Sequence, residues 1–192
     1  MTAASSCAPS ASTSDPQTLV TQRVVEVAPA RLDGWLERFS ANNPDGPQRV
    51  VGVARFDHDP LAVLLVRRGG YAVGVASGDR LTAHKVGSRY VQSRTAAGGW
   101  SQQRFARRRA NQADGLVGAA VEHTVRLLTG IRPAGAVLGG DKALVASLLE
   151  DPRLAGIRDL PRRELYDLPD PRLDVLQKAL ERGRAVRVTI DE

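Results

Sequence analysis

Apolar positions recur along the chain with a period near two in some stretches and near 3.6 in others, and each change of period predicts a new element. Val24, Val25 and Val27 within Gln22 to Ala28 predict a first strand. Pro29 suits the first turn of a helix, where its missing N–H has no intrahelical partner to lose. Leu32, Trp35, Leu36 and Phe39 follow at i, i+3, i+4 and i+7, which gives that helix one apolar face. Asn42, Asn43, Pro44, Asp45 and Gly46 end it. Short β-type runs come next, at Val50 to Arg55, Leu61 to Arg67, Tyr71 to Ser77 and Arg80 to Gln92. Arg68-Gly69-Gly70 and Ser77-Gly78-Asp79 lie between the last three and read as hairpin turns, because glycine supplies the positive φ such turns need. The runs together predict an antiparallel meander.

A long helix is predicted from Gln102 to Leu128, roughly 40 Å at 1.5 Å per residue, with Ser101 placed to cap it. Its two halves differ. From Ala113 onward Leu116, Val117, Ala120, Val121, Thr124, Leu127 and Leu128 form an apolar stripe, which predicts packing on the sheet. The first half carries Arg104, Arg107, Arg108 and Arg109 with no Glu at i±4 to offset them, so it should project into solvent or towards a partner. Gly130 and Pro133 close the helix, and a strand at Ala134 to Leu138 follows. Gly139-Gly140-Asp141 then leads into a helix from Lys142 to Glu150 with Leu144, Val145, Leu148 and Leu149 apolar. Strand, glycines and helix N-terminus in that order can bind phosphate. The lysine-serine ending of a P-loop is missing, however, and a tight turn capped by Asp141 is the favoured reading. Leu154 to Leu160 reads as a short strand centred on Ile157. After Asp170 and Pro171 a helix carries Leu173, Val175, Leu176, Ala179 and Leu180, Gly183 breaks it, and Ala185 to Ile190 is a last strand. A β-rich first half followed by alternating strands and helices predicts one α/β domain over residues 19 to 192, a mixed sheet flanked by helices.

Residues 1 to 18, rich in Ser, Ala, Thr and Pro, carry too little apolar surface to offset the entropy of ordering and are expected to be disordered. No run of 18 apolar residues predicts a membrane span, and the N-terminus lacks the basic start and apolar core of a secretory signal, so a cytoplasmic monomer is expected. Cys7 is the single cysteine, which excludes an intramolecular disulfide and a cysteine-based zinc site.

Charge changes the picture most. The chain carries a net charge of +6. Between Asp79 and Asp114 there is no acidic residue at all, while Arg80, Lys85, Arg89, Arg94, Arg104, Arg107, Arg108 and Arg109 supply eight positive charges. This clustering around Gly98 and Gly99 points to a polyanion, with nucleic acid the favoured class.

Conventional catalytic groups are scarce. His58, His84 and His123 stand in no metal-ligand spacing, His123 reads as a packing residue on the long helix, and Asp57-His58-Asp59 before Pro60 reads as a loop rather than a metal site. Gly-Trp-Ser lacks a neighbouring His or acid to activate Ser101. No cofactor is implied. What remains is chemistry by position: Gly98 and Gly99 allow close backbone approach to a ligand, and the amides of Gln102 and Gln103 can orient a water or a ribose hydroxyl without titrating.

Gly98-Gly99-Trp100-Ser101-Gln102-Gln103-Arg104-Phe105-Ala106-Arg107 resembles the loop and helix of the central domain of eukaryotic and archaeal class-one peptide-chain release factors, in which a Gly-Gly-Gln loop precedes a helix containing Arg-Phe-Ala-Arg. It resembles still more the release-factor-like family of actinobacteria, related to a eukaryotic ribosome quality-control factor. The similarity extends over residues 20 to 192, specific in the loop and helix and only compatible elsewhere. Here Trp100 stands where class-one factors have the glutamine, and Gln102 is the best candidate for the displaced amide, with Gln103 second. The resemblance implies a peptidyl-tRNA hydrolase that rescues stalled or split large ribosomal subunits. Gly98, Gly99, Gln102 and Gln103 would be catalytic, and Lys85, Arg89, Arg94, Trp100, Arg104, Arg107, Arg108 and Arg109 would hold rRNA and the tRNA acceptor end. Cleavage of the tRNA near its 3′ end, and non-catalytic docking on the ribosome or tRNA, stay open beside it.

Overall fold

The computed structural model describes residues 21–88 and 101–192. It builds two sheets where the sequence pattern predicts one. The larger has five strands in the order β5-β4-β3-β6-β7. Strands β3 (Leu61–Arg67), β4 (Gly70–Ser77) and β5 (Arg80–Ser88) form the expected antiparallel meander, while β6 (Gly135–Gly140) and β7 (Arg162–Leu165) join in parallel on the other side of β3.

Both faces of this sheet are covered, which explains why β3 and β4 are buried at every position but the last. Ala62, Leu64, Val66, Tyr71 and Val73 pack beneath α2 (Ser101–Leu127) and α3 (Lys142–Glu150). Leu61, Val63, Leu65, Ala72 and Ala76 face α5 (Leu173–Arg184), which contributes Val175, Leu176, Ala179 and Leu180. Each fully buried Leu or Val contributes roughly 1.5–3 kcal/mol, so these two layers dominate the stability of the fold.

The smaller sheet has the order β1-β8-β2, from β1 (Gln22–Val27), β2 (Arg49–Ala54) and β8 (Val186–Asp191), all antiparallel. The first predicted helix, α1 (Leu32–Asn42), follows a turn of 3₁₀ helix at Pro29–Arg31, and its Leu32, Trp35, Leu36 and Phe39 pack with Val27, Val186, Val188 and Ile190. The second β run therefore leaves the meander and pairs with a strand about 140 residues later, a long-range choice that local periodicity cannot encode.

Three further elements differ from expectation. Leu154 to Leu160 is helical: the Asp151 carboxylate accepts a hydrogen bond from Arg153 N–H, Pro152–Leu154 forms a 3₁₀ turn, and α4 (Ala155–Arg158) follows, so the strand falls later, at β7. Gly183 does not break its helix. It lies inside α5 where the helix approaches β6 so closely that an added Cβ would sit 2.5 Å from Val137 Cγ2. Gly139 and Gly140 belong to β6 rather than to a loop: Gly140 has φ +106°, and a Cβ there would meet the Val66 carbonyl oxygen. Asp141 caps α3 as expected, accepting from the N–H groups of Ala143 and Leu144 at 3.0 and 3.3 Å. Its carboxylate thus takes the donors that a phosphate would need.

Candidate nucleic-acid interface

The basic segment is carried by β5 and α2, which flank the glycine pair in sequence. β5 is an edge strand of the larger sheet among the described residues. Its alternation sends two neighbouring residues, His84 and Lys85, to opposite faces of the sheet. Lys85 is paired with Val73, whose side chain lies under α2, so Lys85 is exposed on the α2 side of the sheet. His84 is paired with Gly74, where an added Cβ would meet Leu176 of α5, so His84 faces the opposite way. It lines a recess of about 470 Å³ with Arg80, Gln177 and Glu181, away from the α2 side.

α2 runs down the sheet and ends beside Pro133, Leu154 and Ile157, close to the start of β6. That start, Gly135, pairs with Leu61, at the far end of the sheet from Ser88, which pairs with Gly70. The second half of α2 is anchored as its pattern predicts: Leu116, Ala120, Val121 and Thr124 are buried, and the Thr124 hydroxyl donates to Ala120 O at 2.7 Å. Leu116 is the first buried residue of the helix among those described. Residues 101–115 precede it, roughly 22 Å of helix. In this half Arg107, Ala110, Asn111 and Asp114 are exposed, and Gln112, Ala113 and Gly115 are half-buried. The first turn holds no acidic residue, so the positive end of the helix dipole adds to the arginines instead of being offset.

Of the predicted site residues, Lys85 and Arg107 are thus exposed. Gln102, Gln103 and Arg104 fall in the first turn of α2, and Arg108 and Arg109 further along it; their backbone is helical and their side chains lie outside the described residues. Gly98, Gly99, Trp100, Arg89 and Arg94 lie outside the described residues altogether. Ser101, expected to cap this helix, is itself its first helical residue.

Asp59, Glu26 and Asp167 are tied into the body of the protein. Asp59 accepts from Gly78 N–H at 2.8 Å, from the Ser77 hydroxyl at 3.1 Å and from the Arg184 guanidinium. These bonds, the Gly78 N–H foremost, hold its carboxyl below the usual range, and they make the Asp57-His58-Asp59 loop a clamp on the β4–β5 turn. His58 itself packs edge-on against Phe56, and no group of three potential metal ligands forms among the described residues. Glu26 and Asp167 both accept from Arg182, joining β1 and the loop after β7 to α5.

One contact that periodicity does not announce steadies the carrier elements. Tyr71 lies across β5 at Gly87, where an added Cβ would come within 2.5 Å of the ring, and His123 of α2 stacks on its other side. A glycine inside an edge strand is the sequence signal for such a close approach.

The model of the Actinobacteria/chloroflexi VLRF1 release factor family, acVLRF1, matches residues 59–189. The chain belongs to this family. The match takes in the whole five-stranded sheet, both helical layers and most of β8, while β1, α1 and β2 precede it. No match is found among curated proteins. Membership carries the expected release-factor-like character. No described helix is long and apolar enough to cross a membrane.

Proposed function

We propose that this chain hydrolyses the ester of peptidyl-tRNA on stalled or split large ribosomal subunits, releasing the nascent peptide. The observation that carries this reading is the pairing of a release-factor family match with a helix whose N-terminal half contributes no described side chain to the core. Such a helix, basic and preceded by glycines, is suited to enter a narrow RNA-walled site while the second half stays docked on the sheet. The rRNA phosphates and the tRNA acceptor end are held by Lys85, Arg89, Arg94, Arg104, Arg107, Arg108 and Arg109, with Trp100 stacking on a base. Gln102, with Gln103 as the second candidate, orients the attacking water, and backbone N–H groups at Gly98 and Gly99 stabilise the oxyanion that forms.

The mechanism needs no titrating group on the protein. Water adds to the ester carbonyl, the C–O bond to the ribose breaks, and the terminal ribose hydroxyl leaves with a proton. The products are a free peptide and an intact tRNA. The test is peptide release on purified large subunits carrying labelled peptidyl-tRNA, with the tRNA 3′ end sequenced. An intact terminal adenosine supports ester hydrolysis, a shortened end assigns cleavage of the tRNA itself, and binding without either product assigns a docking factor.

A further inference from the structure

At the end of α2 remote from its basic half, Val125 and Leu128 meet Leu154 and Ile157 around a recess of about 560 Å³. That volume falls in the range of about 300–1,000 Å³ that ligand sites occupy. Leu154 and Ile157 are core residues, whereas Val125 and Leu128 are only half-buried, so the recess exposes apolar surface to solvent. Arg132 and Arg153 stand at its rim.

The two arginines differ in what they have left to offer. Arg153 is held by Asp151 through two bonds of 2.8 and 2.9 Å. Arg126, nearby on the last turn of α2, is paired with Glu122 at 2.8 Å. Arg132 is exposed and has no ion-pair partner among the described residues. The recess therefore combines an apolar floor with one unsatisfied positive charge, and Asp151 and Glu122 beside it disfavour a dense polyanion.

We infer that this recess binds a short acidic segment of a partner protein, which seats a bulky apolar side chain on Val125, Leu128, Leu154 and Ile157 and sets an adjacent carboxylate against Arg132. RNA is the poorer occupant, because its phosphates would meet the two carboxylates while its sugars left the floor uncovered. The length of α2 puts the recess roughly 40 Å from the start of the helix. An occupant there leaves the basic half free, so the site would tether the protein without competing for its RNA-facing end. This inference stands apart from the hydrolase reading and survives its failure.

Gly156 offers a direct test, because it lines the recess, is exposed, and an added Cβ there meets nothing within 4 Å. The probe is a fluorescein-labelled peptide Gly-Ser-Asp-Leu-Phe-Asp, titrated by anisotropy against the full chain. Saturable binding is expected, weakened about tenfold or more by Gly156→Leu, by Arg132→Glu, or by replacing the peptide's Leu-Phe with Ala-Ala. Gly118→Ala, on the exposed face of α2, should leave it unchanged, and thermal unfolding of each variant shows that the fold is kept. Absent binding at millimolar peptide overturns the inference. So does binding that ignores Gly156→Leu, a neutral Asn-for-Asp peptide that binds equally well, oligouridylate that competes for the recess, or self-association of the chain that Gly156→Leu abolishes.

Discussion

The imidazole ring of His123 stacks on the phenol ring of Tyr71, with centroids 5.7 Å apart and planes inclined by 24°. On the far side of Tyr71 lies Gly87, two residues from the first basic position beyond the described part of β5. The stack thus couples the edge strand to the anchored half of α2. Replacing His123 with Ala should cost about 0.5–1.5 kcal/mol, the worth of an aromatic pair. Gly87→Ala should cost more, about 1–3 kcal/mol, because the added methyl displaces a buried ring. Urea unfolding of the two variants checks the order.

Gly183 separates two physical arguments of opposite sign. Helix propensity alone predicts that Gly183→Ala stabilises α5 by about 1 kcal/mol. The close approach to Val137 predicts the reverse, a loss of about 1–3 kcal/mol, since Val137 is fully buried in β6 and has no room to move. A lower urea midpoint for the variant supports the packing account, and a higher one contradicts it.

Gly183 also shows where sequence reading stops. The apolar spacing in α5 and in the second half of α2 was legible because burial there follows a helical period, and the β3–β4–β5 meander was legible because glycine turns are local. The break expected at Gly183 did not occur, since a glycine that ends a helix and one that lets it touch a strand look alike in sequence. The pairing of β2 with β8 was hidden for a related reason, as strand partners are chosen by long-range packing. Of the candidate site, the exposure of Lys85 and Arg107 and the contrast between the halves of α2 were readable from charge and period. Which of His84 and Lys85 faces α2 depends on pairing register, which the sequence pattern left unassigned.

Three carboxyls make stability depend on acid pH. Asp59 is lowered chiefly by the Gly78 N–H, Asp167 by the Arg182 guanidinium, and Asp151 to about 2 by Arg153. Each carboxylate is more acidic folded than unfolded, so its contribution is fully present above the unfolded value, near 4, and is lost as pH falls through the folded one. The urea midpoint should therefore be flat in these groups above pH 5 and fall between about pH 4 and 2. Arg184→Ala should flatten only a part of Asp59's share of that fall, because the Gly78 N–H and the Ser77 hydroxyl still hold the carboxylate; an unchanged profile would remove Arg184 from the clamp.

The basic half of α2 should act through phosphate contacts. Reversing Arg107, Arg108 and Arg109 to Glu should weaken binding to large ribosomal subunits at low salt and reduce the slope of log affinity against log salt, because fewer counterions are released. Stability should change little, since Arg107 is exposed and this half of the helix gives no described side chain to the core. A salt slope equal to that of the wild type would place RNA binding elsewhere.

The central claim rests on the amide at Gln102, and its most direct measurement is release of labelled peptide from peptidyl-tRNA on purified large subunits by Gln102→Ala. The account predicts that binding stays within about threefold of wild type while the single-turnover release rate falls by about 10²–10³-fold, the loss typical of a positioned polar group that acts in the transition state. Release at the wild-type rate would contradict it.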